Sequence, residues 1–401
     1  MRVGKGIKSH HPLAPRLPQV GNQGRMFYIL FGLLFIAAVS GFPAASLAGK
    51  RIPVVRSTYK SNPALVRRIT GDSPAILTAD SGGYVGPVTI GNVTFPIILD
   101  TGSNTLWVYS TLTDSAPLGK PVYNPRTGIA TNYTFSVEYG DSSTVDGVVY
   151  LDTVIFADIK FPKQAVGATR HVAGNILDTD VGGILGLGTG TFLINQAGSV
   201  PTLLQVLASS GVLDENLFTV ALMRPNEPQS FFTFGYIDNA LLNGATPVYT
   251  NVSTANGYWE FPSESIVVNG QRISRRGNTA FADTGTTLIE LDPEVLPTLY
   301  KPLNGTFDSS SSQWIIPGDI PLSEYPTITL FAGETGITLP PEDLRWQPSG
   351  DGNYIGSIQS RGDNAPADVF GECWLKNTYA IHRFGTAHKD FQFGVVQRKP
   401  I

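Results

Sequence analysis

The chain has 401 residues, of which 42% are hydrophobic and only 15% charged, a composition that excludes a disordered protein. Residues 1–68 hold 11 Lys and Arg and no acidic residue, whereas the remainder holds 17 Lys and Arg against 32 Asp and Glu. An acidic body behind a basic leader argues against nucleic acid as a partner. It suits a protein that works at low pH, where protonation of the carboxylates reduces their mutual repulsion.

Cysteine and histidine usage argues against disulfides and metal sites. Cys373 is the only cysteine, so no internal disulfide can form and no metal site can be built on a cysteine cluster. The histidines lack the spacing of metal ligands; they are His10, His11, His171, His382 and His388. We therefore expect no metal and no cofactor.

The N-terminal segment has the pattern of a secretory leader. Residues 26–39 form an apolar run, and Ser46 and Ala48 are small residues at the two positions that a signal peptidase reads. We therefore assign residues 1–48 to a leader that is cleaved after Ala48. The run is shorter than the roughly 20 apolar residues of a membrane span, but a signal anchor remains the alternative. Translation could start at Met1 or at Met26.

Two dibasic pairs follow the leader, Lys50-Arg51 and Arg67-Arg68. In an exported protein such pairs are candidate cleavage sites for a propeptide, although either pair could arise by chance. Cleavage after Arg68 would make residues 49–68 the short basic propeptide of a zymogen, lying on an acidic domain. Opposite charges would hold it there at neutral pH, and acid would loosen it.

Four Asn-X-Ser/Thr triplets are consistent with an exported glycoprotein. Such triplets also occur by chance in a chain of this length, so they add little by themselves. The candidate glycosylation sites are Asn92, Asn132, Asn251 and Asn304. Together with the leader they predict a secreted protein. A vacuolar protein, or one anchored in a membrane through an uncleaved leader, is the less favoured alternative.

Turn-forming residues predict the fold class. Glycine (43) and proline (29) divide the chain into short apolar segments, which favours an all-β protein with many tight turns. The clearest predicted strands are Val85–Ile90, Phe135–Glu138, Val148–Phe156, Phe231–Phe234 and Ile315–Pro317. The clearest predicted helices are Thr202–Ser209 and Glu294–Tyr300.

Two short runs carry the chemistry. Each places an aspartate at the end of an apolar, strand-like stretch and follows it with a hydroxyl residue, a glycine and a second hydroxyl residue. The runs are Asp100-Thr101-Gly102-Ser103 and Asp283-Thr284-Gly285-Thr286. A buried carboxylate must be hydrogen-bonded or paired, because burying a bare charge is very costly. Two carboxylates that face each other can share one proton and activate a water as an acid/base pair.

The two halves of the chain repeat one plan. Asp100 is followed after 86 residues by Gly186, which ends an Ile-Leu-Gly segment, and Asp283 is followed after 88 residues by Gly371, which ends a Val-Phe-Gly segment. Two matched pairs of elements predict two lobes related by a pseudo-two-fold axis, with the aspartates meeting in the cleft between them. The predicted lobes are residues 69–243 and 244–401.

These residues resemble the pepsin-like aspartic endopeptidases (peptidase family A1), and more closely their fungal secreted members. The resemblance extends from Gly83 to Val396, and two Asp-Thr-Gly runs with a Tyr-Gly segment between them make it specific. It implies an all-β, bilobal fold and hydrolysis of peptide bonds at acid pH. The further matching segments are Val137-Glu-Tyr-Gly-Asp-Ser-Ser143, Gly183-Ile-Leu-Gly-Leu-Gly188, Phe234-Gly-Tyr-Ile-Asp238 and Gly257-Tyr-Trp259.

The resemblance also implies roles for the two aspartates and their neighbours. Asp100 and Asp283 would form the catalytic dyad, one as general base on a bridging water and the other donating a hydrogen bond to the scissile carbonyl. The threonines would bond across the lobes, the hydroxyls would donate to the carboxylates, and the glycines would allow close approach. The residues that support the dyad in this way would be Thr101, Gly102, Ser103, Thr284, Gly285 and Thr286.

Further residues would bind the substrate. Tyr139 would lie on a hairpin flap that closes over the substrate and excludes water, with Trp107 bonding its hydroxyl. Gly140 and Asp141 would offer groups to the substrate backbone, which the family binds extended like an added strand. An apolar pocket favouring bulky hydrophobic side chains would be lined by Tyr139 together with Ile98 and Ile184.

We expect a monomer that binds polypeptide substrates in its cleft. A catalytically silent binding or inhibitor protein on the same fold is the alternative, since a fold alone does not fix activity. Such proteins commonly lose an aspartate, the flap tyrosine or the flanking hydroxyls, and all of these are present here. The sequence therefore favours the enzyme.

Overall fold

We describe the protein from a computed structural model. It describes residues 49–56, 83–114, 119–174, 176, 181–224, 227, 229–385 and 390–399. The predicted leader and the second dibasic pair lie outside these residues, as does most of the predicted propeptide. Within the described part of the chain, no helix is long and apolar enough to cross a membrane.

Strands dominate both halves of the chain. In the first half they are β1 (Lys50–Pro53), β2 (Val55–Arg56), β3 (Tyr84–Ile90), β4 (Val93–Asp100), β5 (Leu106–Val108), β6 (Ile129–Glu138), β7 (Thr144–Phe156), β8 (Ile159–Ala173), β9 (Gly183–Gly186), β10 (Leu217–Ala221) and β11 (Phe231–Phe234). In the second half they are β12 (Val248–Asn251), β13 (Glu260–Pro262), β14 (Ser265–Val268), β15 (Gln271–Ser274), β16 (Thr279–Ala282), β17 (Ile289–Leu291), β18 (Thr306–Asp308), β19 (Gln313–Ile316), β20 (Ile328–Ala332), β21 (Thr335–Leu339), β22 (Arg345–Pro348), β23 (Tyr354–Gly356), β24 (Ile358–Ser360), β25 (Asp368–Phe370), β26 (Thr378–Phe384) and β27 (Phe391–Gln397).

The α-helices of the described residues are short: α1 (Leu203–Ser210), α2 (Leu296–Tyr300) and α3 (Glu372–Leu375). α1 begins at a capping box between Thr202 and Gln205, and it ends at Gly211, whose φ of 66° suits glycine. The predicted strands and both predicted helices are confirmed, with shifts at their ends. β7 begins at Thr144, earlier than predicted, because its alternation of buried and more exposed residues continues toward the preceding turn.

The first half of the chain forms an eight-stranded sheet in the order β2-β3-β4-β9-β5-β8-β7-β6. The last four residues of β4 are all buried, which carries the strand and its terminal Asp100 into the interior. β4 runs parallel to β9, so that Ile98 lies opposite Ile184 and Asp100 lies opposite Gly186. This pairing places the first aspartate beside the first Ile-Leu-Gly segment.

The second half repeats this arrangement in a five-stranded sheet ordered β13-β16-β25-β17-β24. β16 leads directly to Asp283 and runs parallel to β25, with Ala282 opposite Phe370. Two four-stranded sheets, β15-β14-β20-β21 and β18-β19-β23-β22, also lie in this half. Each aspartate thus lies at the end of a strand that pairs in parallel with the strand of the matching apolar-apolar-Gly segment. The fold is the all-β, bilobal fold expected from the sequence.

A six-stranded sheet, ordered β1-β11-β10-β26-β27-β12, draws strands from both halves of the chain. β10 and β26 join the halves, with Phe218 opposite His382. β1 lies at the edge of this sheet and pairs with β11, while β2 pairs with β3 in the eight-stranded sheet. The first residues of the segment predicted to be a propeptide therefore belong to two sheets.

Aromatic side chains pack around His382, which is fully buried on β26. Its ring stacks on Phe218 with 4.3 Å between centroids and meets Trp259 edge-on at 4.9 Å. Neither of its ring nitrogens has a hydrogen-bond partner among the described residues. Burial without a partner disfavours the charged form and lowers the pKa of His382 to about 3.

Candidate active site

The two aspartates occupy equivalent positions at the ends of equivalent strands. Asp100 is the last residue of β4, and Asp283 follows β16 directly. Both side chains are buried. Main-chain hydrogen bonds fix both positions, because Leu187 donates to the Asp100 carbonyl at 2.7 Å and Asp283 donates to the Phe370 carbonyl at 3.1 Å.

Two threonines tie the aspartate loops together across the pseudo-two-fold axis. The Thr284 hydroxyl accepts from the Thr101 amide at 3.1 Å, and the Thr101 hydroxyl accepts from the Thr284 amide at 3.0 Å. Each hydroxyl also donates to a carbonyl of the opposite half: Thr101 to Ala282 at 2.9 Å and Thr284 to Leu99 at 2.6 Å. These four bonds are buried, and they link the C-terminal end of β4 to the C-terminal end of β16.

The glycines of the two runs bring each loop against the other aspartate. A Cβ atom added to Gly102 would lie 2.5 Å from the Asp283 carboxyl carbon, and one added to Gly285 would lie 2.6 Å from an Asp100 carboxylate oxygen. Only a residue without a side chain fits at either position. Each glycine amide also donates to the aspartate of its own loop, at 2.9 Å for Gly102 and 2.7 Å for Gly285.

Hydroxyl groups complete the hydrogen bonding of both carboxylates. Ser103 donates to Asp100 Oδ2, and Thr286 donates to Asp283 Oδ2 at 2.7 Å. Burial and the charge of Asp283 raise the pKa of Asp100, and the donors Ser103 and Gly102 oppose that shift. The two acids are coupled, so the pair retains a proton at pH values where an isolated aspartate would be ionised.

Tyr139 follows β6 and lies in the turn that joins β6 to β7. Its hydroxyl accepts a hydrogen bond from the Trp107 indole nitrogen at 2.6 Å. Burial raises the pKa of Tyr139, and the negative charge of Asp100 adds to this rise. The turn closes through backbone bonds between Tyr139 and Ser143 and between Ser142 and Tyr139. Ser142 has a φ of 63°, a conformation that usually favours glycine.

The structure also places the other sequence-predicted substrate-binding residues. Gly140 is exposed at the tip of the turn, and Asp141 is held by the Ser143 amide and hydroxyl, both at 2.9 Å. Ile98 and Ile184 lie side by side on the parallel strands β4 and β9 and are almost fully buried. Ile98 therefore lies two residues before Asp100 on the same strand, and Ile184 lies on the strand paired with it.

Two residues near the aspartates were given no role by the sequence analysis. Tyr258 is half-buried and stacks on Phe281 at 4.4 Å, and burial, with smaller contributions from the charges of Asp283 and Asp100, raises the pKa of Tyr258. Glu290 is buried on β17, and this burial, with a smaller contribution from the charge of Asp283, raises the pKa of Glu290. The Gly-Tyr-Trp segment was a signal for Tyr258. The lone charge within Leu-Ile-Glu-Leu was a signal for Glu290.

Metal-ligating side chains do not cluster in the described part of the chain: no three His, Cys, Asp or Glu residues there are arranged to hold an ion.

Comparison with known proteins identifies the family. The family described as eukaryotic aspartyl protease matches residues 83–393. The chain is 31% identical to aspergillopepsin-1 of Aspergillus pseudoglaucus, over 92% of each protein. It is 34% identical to penicillopepsin-1 of Penicillium janthinellum, over 76% of this chain and 93% of that protein. It is 30% identical to the aspartic protease pepA of Arthroderma gypseum, over 78% and 80%.

The chain belongs to the eukaryotic aspartyl proteases. It is a pepsin-like hydrolase, an aspartic-type endopeptidase whose substrates are polypeptides.

Proposed function

We propose that Asp100 and Asp283 are the catalytic dyad of this endopeptidase. One carboxylate acts as general base on a water that bridges the pair, and the other, protonated, donates to the scissile carbonyl. The water attacks the carbonyl carbon, and the proton held by the pair is returned to the leaving amine. The observation that carries this proposal is the mutual approach of Gly102 to Asp283 and of Gly285 to Asp100.

Tyr139 and Trp107 support a flap above this pair. The bond from the indole to the tyrosine hydroxyl supports an oriented flap side chain. Closure of the turn over a bound peptide would exclude water and strengthen the electrostatic interactions inside. Gly140 and Asp141 would meet the substrate backbone, and Ile98 and Ile184 would favour bulky hydrophobic side chains beside the cut.

Secretion as a zymogen and a glycoprotein completes the proposal. All four candidate glycosylation sites, from Asn92 to Asn304, are exposed. Removal of residues 1–48 would then leave residues 49–68 as the propeptide, ahead of lobes 69–243 and 244–401. Three ion pairs of its described residues support this role, since acid weakens such contacts. They are Lys50–Asp158 at 3.3 Å, Arg51–Asp238 at 3.7 Å and Arg56–Glu372 at 3.1 Å.

The test uses the full chain, secreted from a eukaryotic host and then acidified. We expect cleavage of an unfolded protein substrate at about pH 3–5, with inhibition by the transition-state mimic pepstatin. The variant Asp283→Asn should be inactive while keeping the wild-type melting temperature at neutral pH. Absence of cleavage by the acidified wild type after removal of the propeptide would refute the proposal, as would activity in Asp283→Asn.

A further inference from the structure

Glu290 is a buried carboxyl group without a partner. It lies on β17 between Ile289 and Leu291, which are also buried, and it is only 7% exposed. It makes no hydrogen bond and no ion pair in the part of the chain that the structure describes. A neutral carboxyl group is far less costly to bury than a carboxylate, which loses its hydration without compensation. The fold therefore accommodates Glu290 in its protonated form and disfavours its ionised form.

The equivalent position in the first half of the chain holds a residue that does not titrate. Glu290 and Trp107 are each the seventh residue after the aspartate of their half. Trp107 lies opposite Ile184 of the antiparallel strand β9, and Glu290 lies opposite Val369 of the antiparallel strand β25. The Trp107 indole is uncharged and donates to Tyr139. The acid on β17 therefore adds a dependence on pH that the matching position on β5 does not bring.

The charges that act on Glu290 from neighbouring strands are negative. Burial is the largest cause that raises the pKa of Glu290 to about 8, and the charges of Asp283, directly after β16, and Asp368, on β25, add to the rise. Asp368 is paired with Arg275 at 2.5 Å and with Arg361 at 3.0 Å. Both guanidinium groups are therefore committed to another carboxylate.

The remaining elements packed on β17 are β24 and α3. β24 carries no ionisable side chain. In α3, burial raises the pKa of the Cys373 thiol to about 12, so this group stays uncharged. The charged residues of α3 and its end are paired elsewhere, Glu372 with Arg56 at 3.1 Å and Lys376 with Asp343 at 3.0 Å. The elements described around β17 thus leave an ionised carboxylate there without a positive partner.

We propose that Glu290 is a pH-sensitive conformational switch, whose protonated side chain is accommodated at acid pH and whose ionisation toward neutral pH destabilises the five-stranded sheet of the second half. β17 and β16 both pair with β25, so a disturbance at Glu290 reaches the strand that leads to Asp283. The switch restricts the folded enzyme to acid surroundings. This inference goes beyond the proposed function, because it concerns the stability of the fold and not the reaction.

The direction of the pH dependence follows from proton binding. The folded chain holds the proton of Glu290 up to about pH 8, whereas the unfolded chain releases it near the ordinary glutamate pKa of about 4.3. The stability that this group contributes is therefore fully present below the ordinary pKa and is lost as the pH rises toward about 8. Within this window the ratio of folded to unfolded chains falls by up to about tenfold for each pH unit. Other acidic residues also titrate, so the effect of Glu290 is measured as a difference between variants.

The test compares the melting temperatures of the full chain and of its Glu290→Gln and Glu290→Leu variants at about pH 4.5 and about pH 7.5. All chains carry Asp100→Asn, which prevents self-cleavage through the proposed dyad and leaves Asp283 in place. Both variants remove the titration, although they differ in polarity and fit. The melting temperature of each, relative to the parent chain, should rise by about 4 °C or more between the two pH values. Glu294→Gln, at an exposed acid on the same connection, is the matched control, and its difference from the parent chain should stay constant.

A second readout uses the acid-activated enzyme with Asp100 intact, incubated at about pH 7.5 and returned to acid for the assay. Glu290→Gln should keep its activity several-fold longer than the wild type, and Glu294→Gln should match the wild type. A melting-temperature difference that is the same at both pH values in either Glu290 variant overturns the proposal, as does equal loss of activity in Glu290→Gln and the wild type. Absence of any cleavage by the acidified wild type would instead contradict the proposed dyad, while the melting temperatures still decide the role of Glu290.

Discussion

Thr101 and Thr284 exchange hydrogen bonds, each hydroxyl accepting from the other residue's amide at 3.0–3.1 Å. Because each hydroxyl also donates to a carbonyl across the axis, the two aspartate loops cannot separate without breaking four buried bonds. The separation of the carboxylates is thereby set by main-chain geometry and not by flexible side chains. This rigidity is what an acid/base pair with a shared proton requires.

Replacement of Thr101 by valine keeps the shape of the side chain and removes its hydroxyl. We expect the free energy of unfolding to fall by about 1–3 kcal/mol, because a buried amide and a buried carbonyl lose their partner. The value of kcat should fall as well, since fewer hydrogen bonds then fix the two loops relative to each other. Thr101→Ser retains the hydroxyl and is the control. Equal stability of the valine and serine variants in urea denaturation would show that the exchange does not hold the loops.

Gly285→Ala would place a methyl group 2.6 Å from an Asp100 oxygen. The loop must shift to accommodate the methyl group. A misplacement of about 1 Å at a reacting centre costs about a hundredfold in kcat. Gly140→Ala introduces the same methyl group where nothing lies within 4 Å, so it is the control for folding. Steady-state kinetics that show wild-type kcat in Gly285→Ala would contradict the close approach of the loops.

The bond from Trp107 to Tyr139 can be removed from either side. Tyr139→Phe and Trp107→Phe should each lower kcat/KM by about fivefold or more, since one hydrogen bond contributes about 1 kcal/mol. If the bond orients the flap, the double variant should lose little more than either single variant. Additive losses in this double-mutant cycle would mean that the two residues act independently.

The buried side chain of His382 should make the stability of the folded state depend on pH. Its pKa is lowered to about 3 in the folded chain, so the unfolded chain binds a proton first as the pH falls. The folded state is stabilised above the ordinary pKa near 6.5, and this contribution is lost on acidification toward pH 3, at up to about 1.4 kcal/mol per pH unit.

Replacement of His382 by phenylalanine, which fills a similar space between aromatic rings, should therefore raise the melting temperature at pH 4 more than at pH 7. A shift of the same size at both pH values would exclude the protonation of His382 as the cause.

The sequence predicted the fold and the positions of the two aspartates because both depend on local patterns that occur twice. The runs after Asp100 and Asp283 and the matched spacing to Gly186 and Gly371 determine which strands pair in parallel. The role of Trp107 as a donor to Tyr139 also followed from the family resemblance, and the bond is present in the structure.

Other features depend on contacts between distant segments, which local patterns do not encode. The strand Lys50–Pro53 carries an unremarkable basic sequence, and its place at the edge of a six-stranded sheet depends on its partner β11. Glu290 stands out only when its lack of a partner is known, which requires the positions of Arg275 and Arg361 around Asp368. His382 gives no signal of burial in the sequence.

The most direct measurement of the central claim is the cleavage of an unfolded protein by the acidified full chain, with Asp100→Asn and Asp283→Asn beside the wild type. The account predicts pepstatin-sensitive cleavage by the wild type and loss of cleavage in both variants, with folding at neutral pH retained. Cleavage by either folded variant at the wild-type rate would contradict the assignment of the two aspartates as the dyad.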